Sequence, residues 1–388
     1  IMTAIEVTGY PPTFCRRSVI TSAPTPMSAL ISRVANFFIP TGRAMVARYR
    51  RIPIMFEGQW GVMSTIEVTM KNILTADIGG TNSRFAHFQI DRQGSLVLME
   101  TKWLATSDAD SFPQLLELLR SSDAAFSADE ADIAIIAVAG PVKHEVYSAP
   151  PYISWDIDLT SSESKKVFRQ AYLINDFVAQ AYACPSPVGE SARVICSGEA
   201  EADGTIGVIG AGTALGKAIL VPTSGHGFLA LPSEGGHAYF PFISPRELAF
   251  QEFYQEKSGQ KHITGNLVVS GRGLRYIHWF LSGEELEPQE VAARFTPESE
   301  TLAWVAKFYG RICRDYALEV LALGGLYIAG GVAAGNPEIL SHANFHNEFL
   351  DSSTMGSLLA KIPVFLIDNQ DSGLWGAAFY GRQTLQKG

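Results

Sequence analysis

Hydrophobic residues make up 47% of this 388-residue chain and charged residues 18%, a balance that supports large packed cores and leaves room for two domains. The net charge of -9 disfavours a nucleic-acid partner, and no run reaches the roughly 18 uninterrupted apolar residues of a membrane-spanning helix. Cys15, Cys184, Cys196 and Cys313 are scattered without a Cys-x-x-Cys pair, so neither a zinc site nor a disulfide framework is indicated; the chain reads as a reduced, cytoplasmic α/β protein with no membrane partner.

Residues 1–62 stand apart. They carry seven arginines, no lysine and only Glu6 and Glu57 as acids, whereas the remainder mixes both basic residues and is acidic. An organelle-type presequence, a surface or membrane-contacting extension and translated sequence upstream of a start at Met63 or Met70 all fit this composition; we expect the last. Nothing before residue 71 is needed for the chemistry.

From there the pattern is strand, glycine turn, strand. Residues 72–76 form a short apolar strand ending at Asp77, Gly79-Gly80 allow a tight reversal, and residues 83–90 return. A third strand over 96–103, a helix over 112–120 and an apolar strand over 132–138 follow, the last stopped by Ala139-Gly140-Pro141. A strand over 171–174 runs into Asn175-Asp176 and a helix over 178–183. The motif then repeats: strand 205–209, a glycine loop over 210–216, and a return over 217–221. Helices are expected over 245–256, 287–293 and 298–321. The last carries Trp304, Phe308, Ile312, Tyr316 and Val320 at four-residue spacing, a core-facing stripe. Strands over 325–328 and 363–367 and a helix over 372–380 close the chain.

Two glycine loops flanking a carboxylate at a strand end suggest a phosphate tail held from two sides. Backbone N–H groups in such turns can wrap phosphates, and Thr81 and Thr213 can add hydroxyl donors. Neither loop fits the lysine-bearing P-loop pattern. Asp77 suits a hydrated magnesium ion held through water, or it simply opens a hairpin turn. Asp176 is placed to act as a general base toward a hydroxyl, or to cap the next helix. Asn175 either bonds neighbouring hydroxyls or closes the turn. In Ser233-Glu234-Gly235-Gly236-His237, Glu234 is a good acceptor for paired hydroxyls, and His237 is either a hydroxyl ligand or a turn histidine; the pair is too thin for a metal set. Gly330-Gly331 after a strand could let a nucleoside approach the backbone.

These segments resemble the bacterial-type glucokinase family of the actin-like ATPase and sugar kinase superfamily, over roughly residues 72–386. The first phosphate motif is Ala76-Asp77-Ile78-Gly79-Gly80-Thr81-Asn82-Ser83-Arg84, the catalytic segment Ile174-Asn175-Asp176-Phe177, and the second phosphate motif Gly210-Ala211-Gly212-Thr213-Ala214-Leu215-Gly216. Glu234-Gly235-Gly236-His237 matches the sugar motif and Ile328-Ala329-Gly330-Gly331 the adenosine-side motif. The resemblance implies ATP-dependent phosphorylation of the 6-hydroxyl of glucose. It assigns Asp176 as base, and Asn175, Glu234, His237 and Asn266 as sugar ligands. Asp77, Gly79, Gly80, Thr81, Asn82, Gly210, Gly212, Thr213, Gly216, Gly330 and Gly331 fall on the nucleotide and Mg2+. It also implies a homodimer. Two departures stand out. Asn266 replaces a family glutamate of the sugar site, and Pro151-Tyr152-Ile153-Ser154 replaces a Thr-Asn segment before the tryptophan matched by Trp155. They leave open a kinase for mannose or an amino sugar, or a catalytically weak sugar sensor. The expected fold is α/β, a two-domain actin-like ATPase (ribonuclease H-like) fold with a cleft. An N-terminal extension would cover 1–70, a small domain 71–186, a large domain 187–371, and a C-terminal helix over 372–388 would return to the small domain.

Overall fold

A computed structural model describes residues 47–56, 59–68, 70–225 and 227–387. The expectation for the N-terminal extension falls mostly outside them. The segments Ala47–Phe56 and Gln59–Val68 pair as an antiparallel hairpin of their own, so the compositional break near residue 62 falls inside a strand.

Two large sheets carry most of the rest, beside a small three-stranded sheet over 142–158. The first comprises β1 (Lys71–Ile78), β2 (Asn82–Ile90), β3 (Leu96–Ala105), β4 (Ile133–Val138) and β5 (Ala171–Asn175), in the order β5-β4-β1-β2-β3. The second comprises β6 (Arg193–Cys196), β7 (Ile206–Ala211), β8 (Leu215–Pro222), β9 (Phe228–Ser233), β10 (Gly325–Ala329) and β11 (Val364–Leu366), in the order β6-β11-β10-β7-β8-β9. In each, an antiparallel hairpin leads to a third antiparallel strand on one side and two parallel strands on the other. The internal repeat is therefore one of topology, with β6 added as an antiparallel edge. The second glycine loop is shorter than expected. Gly210 pairs with Gly216 and Ala211 with Leu215 across the β7–β8 ladder, which leaves only Gly212-Thr213-Ala214 to turn.

Alternation along the strands sets the layers. Leu74, Ala76 and Ile78 of β1 join Ala134, Ile136 and Val138 of β4 against the helix Phe112–Arg120. Ile73, Ile133 and Ile135 face the opposite way, toward α1 (Asp176–Ala183) and the C-terminal helix. The far face of the second sheet packs against α2 (Gly271–Ser282) and α3 (Glu300–Glu319), whose Phe308, Ile312 and Tyr316 share a core with Ile209, Leu326 and Val364. The helix α2 escaped the sequence reading because its first turn, Gly271-Arg272-Gly273, looks like a loop. The last helix, α4 (Ser372–Lys387), continues a full turn or more past residue 380.

The helices α1 and α4 form the layer between the sheets. Val178, Ala181 and Leu374 lie in one core with Ile73 of the first sheet and with Val208 and Leu220 of the second. They cross so closely that a Cβ on Gly376 would stand 1.8 Å from the Ala179 carbonyl oxygen. A buried ionic cluster secures the outer side of the second sheet. Arg311, wholly buried, donates to Glu247 at 2.7 and 3.1 Å, to Glu348 at 2.6 Å and to the Pro241 carbonyl at 2.8 Å.

Candidate active site

Between the sheets lies a cavity of about 370 Å³. Asp77 enters it from the end of β1, Asn175 and Asp176 from the β5–α1 junction, the segment 211–217 from the β7–β8 turn, and Glu234 and His237 from beyond β9. Strand ends of a doubly wound sheet meet there, the usual place for a ligand in such folds.

Asn175 is the residue that caps α1. Its side-chain oxygen accepts from the Phe177 and Val178 N–H groups at 2.9 and 3.3 Å, and its amide donates to the Gly140 carbonyl at 3.1 Å and to Asp176 Oδ1 at 2.9 Å. With the cap supplied by its neighbour, Asp176 engages only Oδ1, with Asn175 and the Phe177 N–H, and keeps Oδ2 uncommitted among the described residues. Burial pushes the Asp176 carboxyl up to about 7, reinforced by the Asp77 and Glu234 charges and opposed by the Phe177 amide. A carboxyl poised near neutrality beside a cavity has the character of a general base.

Asp77 stands opposite Arg84 in the β1–β2 ladder and forms an ion pair with it. The guanidinium also donates to the Gln370 carbonyl, approaches Asp371 at 4.0 Å and lies 5.2 Å over the Trp103 ring. Sequence reading gave Arg84 no role, although a hairpin about Gly79-Gly80 sets residues 77 and 84 face to face. One helical turn beyond Asp176, Gln180 lines the cavity with its side-chain oxygen buried and unpartnered. Gln180 and Asp77 both border Gly373, at 3.4 and 3.7 Å from where a Cβ on that glycine would stand.

The first turn is locked from behind: Thr106 donates to the Gly79 carbonyl through its hydroxyl at 2.8 Å and to the Thr81 carbonyl through its N–H at 2.9 Å. Gly79, Gly80, Thr81 and Asn82 do not line the cavity. The space a Cβ on Gly80 would take is filled by Tyr152, 2.8 Å away, and the exposed Tyr152 does line it. Gly210 also lies outside; its lack of a side chain admits the Ala329 carbonyl oxygen, 2.2 Å from where a Cβ would be. Gly330, with φ 93°, lines the cavity and approaches the Ala211 backbone, while Gly331 faces a second cavity of about 640 Å³. Gly212 and Thr213 line both cavities and so bridge them.

Leu215 ties the sugar-motif and phosphate-motif segments together. Its N–H donates to Asn266 Oδ1 at 2.7 Å, and its carbonyl oxygen occupies the space beside Gly236, 2.0 Å from a would-be Cβ. The Asn266 oxygen expected to meet a sugar is thus engaged by the loop, and Asn266 is not among the cavity-lining residues. Glu234 and His237 are exposed and 3.9 Å apart, side by side on the cavity rim.

No group of three or more metal-ligating side chains exists among the described residues. Magnesium does not require one, because it keeps several waters and binds through one or two carboxylates plus phosphates. Asp77 and the unpartnered Gln180 oxygen suit such a hydrated ion.

Paired sheets of this topology, a carboxylate at the cleft and a glycine loop facing it define a kinase of the actin-like ATPase fold. The glucokinase family profile matches residues 74–384. Glucokinases of Tolumonas auensis and Erwinia tasmaniensis are 31% and 30% identical, each over 81% of this chain and 98% of their own length. A crystal structure of glucokinase from an Antarctic psychrotroph superposes with a TM-score of 0.68 at 27% identity, covering 80% of this chain and 98% of that one. A ROK family glucokinase from Streptomyces griseus, in complex with glucose and AMPPNP, shares the fold at 17% identity with a TM-score of 0.52, covering 81% of this chain and all of the other. The chain belongs to the glucokinase family. No helix among the described residues is long and apolar enough to cross a membrane.

Proposed function

We propose that this chain transfers the γ-phosphoryl group of ATP to the 6-hydroxyl of glucose, giving glucose 6-phosphate and ADP as an early step of sugar breakdown. The observation that carries this reading is the Asp176 carboxyl, raised to about 7 and facing the Gly212–Gly216 segment across one cavity.

Asp176 accepts the hydroxyl proton as the sugar oxygen bonds to phosphorus and the bond to the ADP oxygen breaks. Asn175 holds Asp176 in place through their 2.9 Å hydrogen bond. Glu234 and His237 bind adjacent sugar hydroxyls, and N–H groups of the 212–216 segment meet the phosphates. Asp77 and Gln180 would hold water of a magnesium ion, which would supply charge neutralisation at the phosphates. Lobe closure excludes water from the reacting group. The nucleotide runs from the 640 Å³ cavity across Gly212 and Thr213 into the smaller one. The family relationship supports a cytoplasmic homodimer, with residues 71–186 and 187–371 as its two lobes and the C-terminal helix returning to the first.

A second reading, phosphorylation of mannose or an amino sugar, is favoured by the engagement of Asn266 with the Leu215 amide, which leaves one sugar contact changed. Sugar-dependent ADP release by the purified chain with magnesium and ATP separates the two across glucose, mannose, fructose and glucosamine. Preference for glucose supports the first reading, preference for mannose or glucosamine the second, and preference for fructose overturns both. Binding of sugar without ADP release would leave a sensor and overturn both.

A further inference from the structure

The larger cavity contains a cation that no carboxylate neutralises. Arg272 is exposed and lines the 640 Å³ cavity together with Gly212, Thr213, Gly271 and Gly331. The other arginine there, Arg275, is committed: it pairs with Glu285 and, at 3.0 Å, with Glu287. Arg272 forms no salt bridge or hydrogen bond among the described residues. Its position is fixed relative to the phosphate loop, because the N–H of the adjoining Gly271 donates to the Gly212 carbonyl at 3.2 Å.

We propose that Arg272 binds the phosphate chain of the nucleotide, outside the two glycine motifs, and so sets affinity for the phosphoryl donor. This rests on the reading of the larger cavity as the nucleoside site. The cavity volume suits a nucleoside, and Leu274, Ala292 and Val332 supply apolar wall for a base. Arg272 adjoins Gly271, whose N–H is bonded to Gly212, one of the two residues that line both cavities and so mark where the phosphates would cross. A guanidinium matches phosphate oxygens through paired N–H donors, which an ammonium cannot reproduce. With Arg275 neutralised by Glu285 and Glu287, Arg272 is the free positive charge in this lining.

The test is calorimetric titration of the full chain and of Arg272→Ala and Arg272→Lys with ADP, with adenosine and with glucose, in magnesium buffer. Arg272→Ala should weaken ADP binding roughly tenfold, the scale of a charge-assisted hydrogen bond, and leave adenosine and glucose unchanged. Arg272→Lys should restore part of the loss. Unchanged ADP binding by Arg272→Ala overturns the proposal and leaves the nucleoside site standing. Equal weakening of ADP and adenosine also overturns it, by placing Arg272 on the nucleoside. Failure of the unmodified chain to bind either adenine compound overturns the nucleoside-site reading itself, and the proposal with it.

Discussion

The ring of Phe177 lies where a side chain on Gly216 would have to be, 1.9 Å from the position of its Cβ. Phe177 follows the Asp176 carboxylate on α1, and Gly216 is the second residue of the return strand after the second phosphate loop. The carboxylate and the loop that faces it are therefore held apart by one aromatic ring seated on one glycine.

Gly216→Ala should push Phe177 aside and disturb Asp176 with it. Overpacking of this kind costs on the order of 1–3 kcal/mol of stability, and small misplacements of a catalytic group cost about 100-fold in rate. Steady-state turnover alongside thermal melting measures both. Adding Phe177→Leu should recover part of the loss, since the smaller side chain vacates the contact. No recovery would mean that the glycine acts through the loop alone.

The Asp176 carboxyl supplies a pH dependence with a definite sign. If its ionised form is the base, kcat/KM should rise about tenfold per pH unit below about 7 and level off above it. Asp176→Asn should bind sugar, lose most turnover and show no such rise.

The same carboxyl should make stability fall with pH. Unfolded, it ionises near its ordinary value of 3.8; folded, it does so at about 7. Between these values the folded chain holds a proton that the unfolded chain has released, so unfolding free energy decreases as pH rises through that window. The cost is on the order of a few kcal/mol. Asp176→Asn should therefore unfold at higher urea concentration than the parent at pH 8, with the gap closing near pH 4. A gap independent of pH would disprove the linkage.

Asn266→Ala removes the acceptor of the Leu215 amide and should cost about 1–3 kcal/mol. Through the loop it should raise KM for ATP several-fold. Asn266→Asp keeps an acceptor and should behave nearly as the parent. If instead Asn266→Ala changes only the sugar KM, the residue serves the sugar directly.

Arg311→Met leaves Glu247 with Lys307 alone and Glu348 with Arg314 alone as cation partners and should destabilise the fold by up to about 3–5 kcal/mol in denaturant unfolding. Combining it with Glu247→Gln and Glu348→Gln should return much of that loss, because the uncompensated charge is then gone.

Glycine turns, strand ends and the apolar stripe of α3 were readable because each is a local pattern with a local cause. What the glycines are for was not. Gly80 makes room for Tyr152, Gly210 for Ala329, Gly216 for Phe177 and Gly236 for Leu215, all partners distant in sequence. Asn175 and Asp176 could not be told apart as cap and base until the hydrogen bonds of α1 were seen. Arg84 was hidden in a motif, and its cross-strand position over Asp77 follows only from the hairpin register. The larger cavity was invisible because one of its walls comes from α2, whose glycine-broken first turn conceals a helix.

The placement of α4 between the sheets has a consequence for synthesis. Leu374, Ala377 and Ala378 complete a core with Ile73 and Ile133, and a Cβ on Gly381 would stand 3.0 Å from a methyl of Ile73. The first strand of that sheet leaves the ribosome about 300 residues before its covering helix, a delay of roughly 15–60 s at ordinary elongation rates. Until then only α1 is available to cover that apolar face of the N-terminal sheet, so the nascent chain carries a half-covered core for most of its translation, and a stop shortly before α4 would leave that part of the face without its second helix.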